Sequence, residues 1–168
     1  MTYHTVLSSP LGDILLTADD RGLTGINFQN ARGAKKPQDS SVDSAAPFKE
    51  AASQLGAYFR GELKSFRLPL SFGGTTFQRS VWKALGDIPY GETISYRELA
   101  RRVGRPTAWR AVGAANRANP LPIVVPCHRV VGSDGRLTGY YGGMHLKEYL
   151  LKLEAEGSRA KTGRRGRS

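Results

Sequence analysis

Pro126-Cys127-His128-Arg129 sets the one cysteine of the chain beside an imidazole, a pair of residue types suited to nucleophilic attack by sulfur. A lone thiol closes no internal disulfide and is too little for a thiolate metal site, so core filler and nucleophile are the two roles open to it. Its flanks favour the second. The apolar run Ile123, Val124, Val125 leads in and Val130-Val131 leads out. Proline ends strand pairing there, and the next residues bring a thiol and an imidazole to one mouth. A core filler has no need of the imidazole. An unperturbed thiol has a pKa of ~8.5, so little of it is ionised near neutrality, and a base or cation has to help. His128 is the candidate, although neighbours on an extended strand point to opposite faces. Either the backbone bends after Pro126 or a water links the two side chains.

Further motifs frame this run: Ser95-Tyr96-Arg97-Glu98-Leu99, then Arg110-Ala111-Val112-Gly113, then Asn119-Pro120, and after it Gly139-Tyr140-Tyr141-Gly142-Gly143. In this order they resemble the O6-alkylguanine-DNA alkyltransferase family, the methylated-DNA–protein-cysteine methyltransferases. The likeness spans roughly Thr75 to Gly157. It implies an α/β protein: a small amino-terminal α/β domain of ribonuclease-H-like type, then a mostly helical domain with a helix-turn-helix and the Pro-Cys-His-Arg active-site loop. It also implies direct reversal of DNA damage. An alkyl group would pass in one irreversible step from O6-alkylguanine, and from O4-alkylthymine, in duplex DNA to Cys127, after the nucleotide flips out through the minor groove. Each molecule would act once, because a thioether lacks the hydrolytic exit of a thioester.

The resemblance assigns roles residue by residue. Cys127, a water, His128 and Glu154 would form a relay, and Tyr96 would supply the proton or hydrogen bond that lets guanine leave. Arg110 would fill the gap left by the flipped base, with Thr107, Gly113, Ala114 and Arg117 as further DNA-binding positions. Asn119 would hold the backbone between recognition helix and active-site strand, and Pro122, Tyr140, Tyr141, Gly142 and Gly143 would wall the pocket. Trp109 departs from the small residue more usual before that arginine, and Tyr141 is bulkier than its counterpart in some relatives. On this reading Glu154→Gln should leave folding nearly intact.

The elements that must position these groups follow from spacing. Residues 3–28 read as three strands separated by Ser9-Pro10-Leu11-Gly12 and Asp19-Asp20-Arg21-Gly22. Asn30 to Ala46 reads as irregular. Phe48, Ala51, Ala52, Leu55, Tyr58 and Phe59 recur at helical spacing until Gly61, and the alternation of Phe66, Leu68, Leu70 and Phe72 suits an edge strand. Thr75 caps a helix through Phe77, Val81, Trp82 and Leu85. Ser95 and Glu98 have capping-box form, Gly104-Arg105-Pro106 breaks the helix they open, and Thr107 starts another that runs to Asn119. On that second helix Ala108, Val112, Ala115 and Asn119 share one face, while Arg110, Gly113, Ala114 and Arg117 share the opposite, small-residue face. Leu146, Tyr149, Leu150 and Leu153 make a last apolar face, with Glu154 at its flank. The expected domains are 1–73, a support domain, 74–156, the helix-turn-helix alkyltransferase domain, and 157–168, a basic irregular tail.

At 168 residues with 39% hydrophobic residues the chain can bury a core. The net charge of +11 favours a polyanion, here duplex DNA carrying alkylated guanine. The tail reads equally as a solubilising end or as a DNA tether. No apolar run reaches the ~20 residues of a membrane span, and a lone thiol suits a reducing compartment, so a cytoplasmic protein is expected. A monomer, cooperative on DNA, without cofactor or metal completes the expectation; the amino-terminal half has His4 and no cysteine for zinc. Two other readings stand beside it. A helix-turn-helix regulator without chemistry would leave the Cys127-His128 pair unexplained, and a cysteine hydrolase would leave the basic helix-turn-helix without purpose.

Overall fold

The computed structural model describes residues 1–135 and 143–165, with side chains as far as Arg159. Tyr140, Tyr141 and Gly142 therefore lie outside the described residues. The chain divides into two compact units, Met1–Gly74 with Pro120–Val124, and Thr75–Asn119 with Val125–Ser168.

In the first unit β1 (Thr2–Ser9), β2 (Gly12–Asp19) and β3 (Gly22–Phe28) form antiparallel pairs, and β4 (Val42–Asp43), within the stretch expected to be irregular, pairs in parallel with β1. The sheet order is β3-β2-β1-β4. The second turn is closed by the Asp19 carboxylate, which accepts from Arg21 N at 2.8 Å and Gly22 N at 3.2 Å. Ile14, Leu15 and Leu16 are all buried, and since successive strand residues face opposite ways, both faces of β2 are covered. Helix α1 (Lys49–Phe59) buries Ala51, Leu55 and Tyr58, one stripe at helical spacing. It ends at Gly61, whose φ of 75° lets Gly61 N reach Tyr58 O and Glu62 N reach Ala57 O. The expected strand over Phe66 to Phe72 shrinks to a single bridge between Leu70 and Leu23. Pro69 accepts from Leu23 N but has no N–H to extend the ladder.

The second unit begins with α2 (Thr76–Gly86), whose Thr75 and Gln78 form a reciprocal capping box. Its buried face holds Val81, Trp82 and Leu85, and the Trp82 indole donates to Ala115 O at 2.9 Å. A short parallel pair joins β5 (Ile94–Ser95) to β6 (Val130–Val131). Ser95 caps α3 (Tyr96–Arg102) by accepting from Glu98 N, while the Glu98 carboxylate turns to Arg101 and Arg102 instead of back to the cap. Gly104, at φ 78°, stops α3 with two bonds, Gly104 N to Arg101 O and Arg105 N to Ala100 O. Helix α4 (Trp109–Arg117) starts two residues later than its sequence suggests. Its N-cap is Ala108, with no side-chain cap, and Thr107 stands outside the helix. Helix α5 (Met144–Arg165) runs past Gly157, where composition points to an irregular tail. A mid-helix glycine costs only about 1 kcal/mol, and no proline follows to break the ladder. Among the described residues no helix is long and apolar enough to cross a membrane.

Candidate active site

The cysteine owes its position to a backbone bend. Pro126 sits at φ −82°, ψ 66°, with Cys127 N bonded to Val125 O at 2.8 Å, the geometry of an inverse γ-turn. Cys127–Arg129 then forms a tight helical turn, so their side chains fan out at about 120° steps instead of opposing one another. Two buried asparagines brace the bend from α4 and its end. Asn119 Nδ2 donates to Val125 O at 2.8 Å and Asn116 Nδ2 to Cys127 O at 3.4 Å. Upstream, buried Ile123 holds φ 76°, a left-handed backbone that a β-branched residue adopts at a cost of about 1–3 kcal/mol.

Cys127 is 3% exposed and His128 is fully buried. His128 Nε2 lies 2.6 Å from Glu154 Oε2, and its buried Nδ1 has no hydrogen-bond partner among the described residues. Arg129 grips the same carboxylate, Nε to Oε1 at 2.8 Å and Nη2 to Oε2 at 3.0 Å, and Gly91 N adds a contact to Oε1 at 3.3 Å. The remaining edge of the guanidinium donates from Nη1 to Ile88 O at 2.6 Å.

Burial disfavours both charges in this pair, but the partners decide differently. Burial would raise the Glu154 pKa, yet hydrogen bonds and charge from His128 and Arg129 take it down to about 2. Burial holds the imidazole of His128 below its ordinary value against the pull of Glu154, with Arg129 and Lys147 adding to the lowering. When the imidazole is neutral, the Arg129 fork still keeps the carboxylate ionised. Neutral imidazole has one N–H, and the 2.6 Å contact places it on Nε2, leaving the Nδ1 lone pair as a base.

Lys147 was not among the residues singled out from sequence. It is fully buried on α5, donates from Nζ to Val130 O at 2.6 Å, and lies 5.9 Å from the centre of the Tyr96 ring. Burial lowers its ammonium to about 8, a shift opposed by charge on Cys127. The signal was legible: Lys147, Leu150 and Glu154 recur at helical spacing, so a lysine and a glutamate share the stripe of a core leucine. The buried stripe of α5 is Leu146, Lys147, Leu150 and Glu154, while Tyr149 is exposed. Glu154 therefore sits in the middle of the buried face, not on its flank. Arg129 was likewise read only as part of the frame, and Asn116 was missed.

On α4 the exposed stripe is Arg110, Ala114 and Arg117, joined by Ala111 and Ala118. Gly113, expected on that face, is buried instead: a Cβ built there would lie 3.6 Å from the Tyr96 ring. Four residues carry the stripe from Arg110 to Ala114, whereas three turn Gly113 inward toward α3. Tyr96 opens α3 and is half-buried. Pro122 is buried in the segment that groups with the first unit, and Gly143, at φ 101°, precedes α5. Among the described residues no three His, Cys, Asp or Glu side chains gather as a metal site would require.

A buried cysteine followed by a His-Glu-Arg array, in the same unit as a helix-turn-helix with an arginine-bearing second helix, defines a cysteine-centred protein built on a nucleic-acid-binding motif. The family model "6-O-methylguanine DNA methyltransferase, DNA binding domain" matches residues 76–156, and "6-O-methylguanine DNA methyltransferase, ribonuclease-like domain" matches residues 2–72. The chain belongs to the 6-O-methylguanine DNA methyltransferase family. It is 53% identical to the methylated-DNA–protein-cysteine methyltransferase of Methanosarcina acetivorans, over 90% of this chain and 97% of that one. With that of Mycolicibacterium paratuberculosis it shares 48% identity over 94% of each chain. The crystal structure of Mycobacterium tuberculosis OGT in complex with DNA superposes with a TM-score of 0.86 at 44% identity, over 92% of this chain and 94% of that one.

Proposed function

We propose that this protein repairs alkylated DNA by moving the alkyl group of O6-alkylguanine onto Cys127. Its class of activity is that of a methylated-DNA–protein-cysteine methyltransferase. The observation that carries the assignment of roles is the buried imidazole of His128, tied through Nε2 to Glu154 and with Nδ1 unpartnered beside the cysteine in sequence. In the proposed mechanism Nδ1 accepts the Cys127 proton through a water, and the Lys147 ammonium supports the thiolate. Sulfur bonds to the alkyl carbon, the carbon–oxygen bond breaks, and its electron pair stays on the guanine oxygen. Tyr96 offers that oxygen a proton or hydrogen bond, because guanine leaves poorly as a bare anion. The thioether has no exit, so one molecule repairs one lesion. O4-alkylthymine, with an alkyl group on an equivalent exocyclic oxygen, is a second substrate.

The exposed stripe of α4 is the proposed DNA face, with Arg110 filling the place of the flipped nucleotide and Ala114, Arg117 and Thr107 beside it. Gly113 acts through packing on Tyr96, Asn119 by holding the Val125 carbonyl, and Pro122, Tyr140, Tyr141, Gly142 and Gly143 as pocket walls. The protein is proposed to work as a cytoplasmic monomer that assembles cooperatively on duplex DNA. Mass spectrometry after incubation with duplex DNA carrying O6-methylguanine tests the core of this reading. One methyl on Cys127 at one lesion per molecule is expected, and repeated turnover or methylation elsewhere would overturn it.

A further inference from the structure

Trp109 stands in the first turn of α4 with two cations on its indole. The Arg110 guanidinium lies 5.0 Å from the ring centre, and that of Arg97, from the first turn of α3, lies 5.3 Å from it. Contacts of this kind attract a cation to the electron-rich ring face. The turn that carries Arg110 starts without a side-chain cap: its N-cap is Ala108, and no acid lies in the first turn. An uncapped helix start frays, and fraying there would scatter the arginine over many orientations.

We infer that Trp109 is a positioning residue for Arg110: its ring, clamped by Arg97 of α3, holds the uncapped first turn of α4 and presents the arginine to the duplex. The inference rests on the reading of Arg110 as the group that enters the base stack. An arginine left free must give up more rotamer freedom when it inserts, so loss of the ring slows extrusion, a step that a free base does not need. Arg97 acts through the ring, at the junction of the two helices of the motif.

The test uses full-length protein at saturating duplex carrying O6-methylguanine beside 2-aminopurine, whose fluorescence rises as the stack opens. Methyl transfer is followed in parallel, with reaction of a free O6-alkylguanine base as control. Trp109→Ala should slow extrusion and duplex repair about three- to ten-fold, leave the free-base rate unchanged and lower the thermal midpoint only slightly, while Trp109→Phe should keep most of the rate. Arg97→Ala should slow extrusion less, and adding it to Trp109→Ala should cost little more. Wild-type extrusion by Trp109→Ala, or an equal loss on duplex and free base, would overturn the role of Trp109. Arg110→Ala is the separate arm: a loss on duplex no greater than on the free base would overturn the insertion of Arg110 itself.

Discussion

Arg129 holds Glu154 by two parallel hydrogen bonds, Nε to Oε1 at 2.8 Å and Nη2 to Oε2 at 3.0 Å, with the arginine side chain 8% and the carboxylate 1% exposed. A fork of this kind satisfies both oxygens in a fixed plane. The carboxylate stays ionised even when His128 is neutral, and it is aimed at Nε2. Arg129 is therefore a counter-charge for Glu154 that does not depend on the protonation of His128, which leaves the imidazole able to act as a base.

Glu154→Gln should consequently be destabilising, in contrast to the expectation from sequence. The amide fits the space but leaves the Arg129 guanidinium buried without a counter-charge, a loss on the order of 3–5 kcal/mol. For a chain of this size that lowers the melting midpoint at pH 7 by roughly 10 °C. The pH dependence carries the same signature. The folded pKa of Glu154 lies below its unfolded value, so its stabilisation is present above 4.5 and is lost as pH falls from 4.5 to about 2. That acid step should be much smaller in the variant. An unchanged midpoint at pH 7, read by calorimetry, would mean that Arg129 is solvated and the buried fork contributes nothing.

Local rules carried the helix boundaries where a side chain or a glycine sets them: Thr75, Ser95, and the stops at Gly61 and Gly104 were all legible, while the reciprocal bond to Gln78 was missed. They failed where no such group decides. Thr107 has the chemistry of a cap, but the helix begins after Ala108, where contacts of Trp109 with Arg97 hold the turn. The alternation of Phe66 to Phe72 resembles a strand, yet Pro69 cannot extend a ladder. Cys127, His128 and Glu154 could be named from motif, and a bend after Pro126 was one of the two arrangements left open, but what fixes that bend was not legible. It depends on Asn119 and Asn116 reaching backbone carbonyls of Val125 and Cys127, contacts that residue spacing does not reveal. Helical periodicity put Gly113 beside Arg110 because a small residue leaves no hydrophobic signal, and only the Tyr96 ring shows which way it faces.

Gly113→Ala offers a direct check on that orientation. An added Cβ meets Tyr96 carbons at 3.6 and 3.8 Å and Arg117 Nη1 at 3.7 Å, ordinary contact distances. Replacing a mid-helix glycine by alanine gains about 0.5–1 kcal/mol, or roughly 2–4 °C in the melting midpoint. Because the position is buried, affinity for undamaged duplex should change by less than about two-fold, whereas Arg117→Ala should weaken it and flatten its salt dependence. A large loss of duplex affinity in Gly113→Ala would return this residue to the DNA face.

Lys147→Met separates the role of charge from that of packing. Methionine fills a similar volume and removes an ammonium whose burial is costly, so the protein should be no less stable at pH 7 even though the bond to Val130 O is lost. The sign follows from the shift: the folded pKa is lowered from 10.5 to about 8, so the buried cation costs stability once pH falls below that range, and methionine removes the cost. Reactivity should move the other way. The ammonium and a Cys127 thiolate support one another, so removing the cation should slow alkylation by a small free-base donor at pH 7 roughly ten-fold. In the wild type the rate should rise with pH as thiolate forms and then level off, because loss of the Lys147 charge above about 8 removes no thiolate already formed. The variant should start lower, rise at higher pH and approach the wild-type rate in alkali. Measuring inactivation rates from pH 5 to pH 10 for both proteins, with melting midpoints alongside, tests each half. Coincident pH profiles for the two proteins would leave the thiolate without its cation.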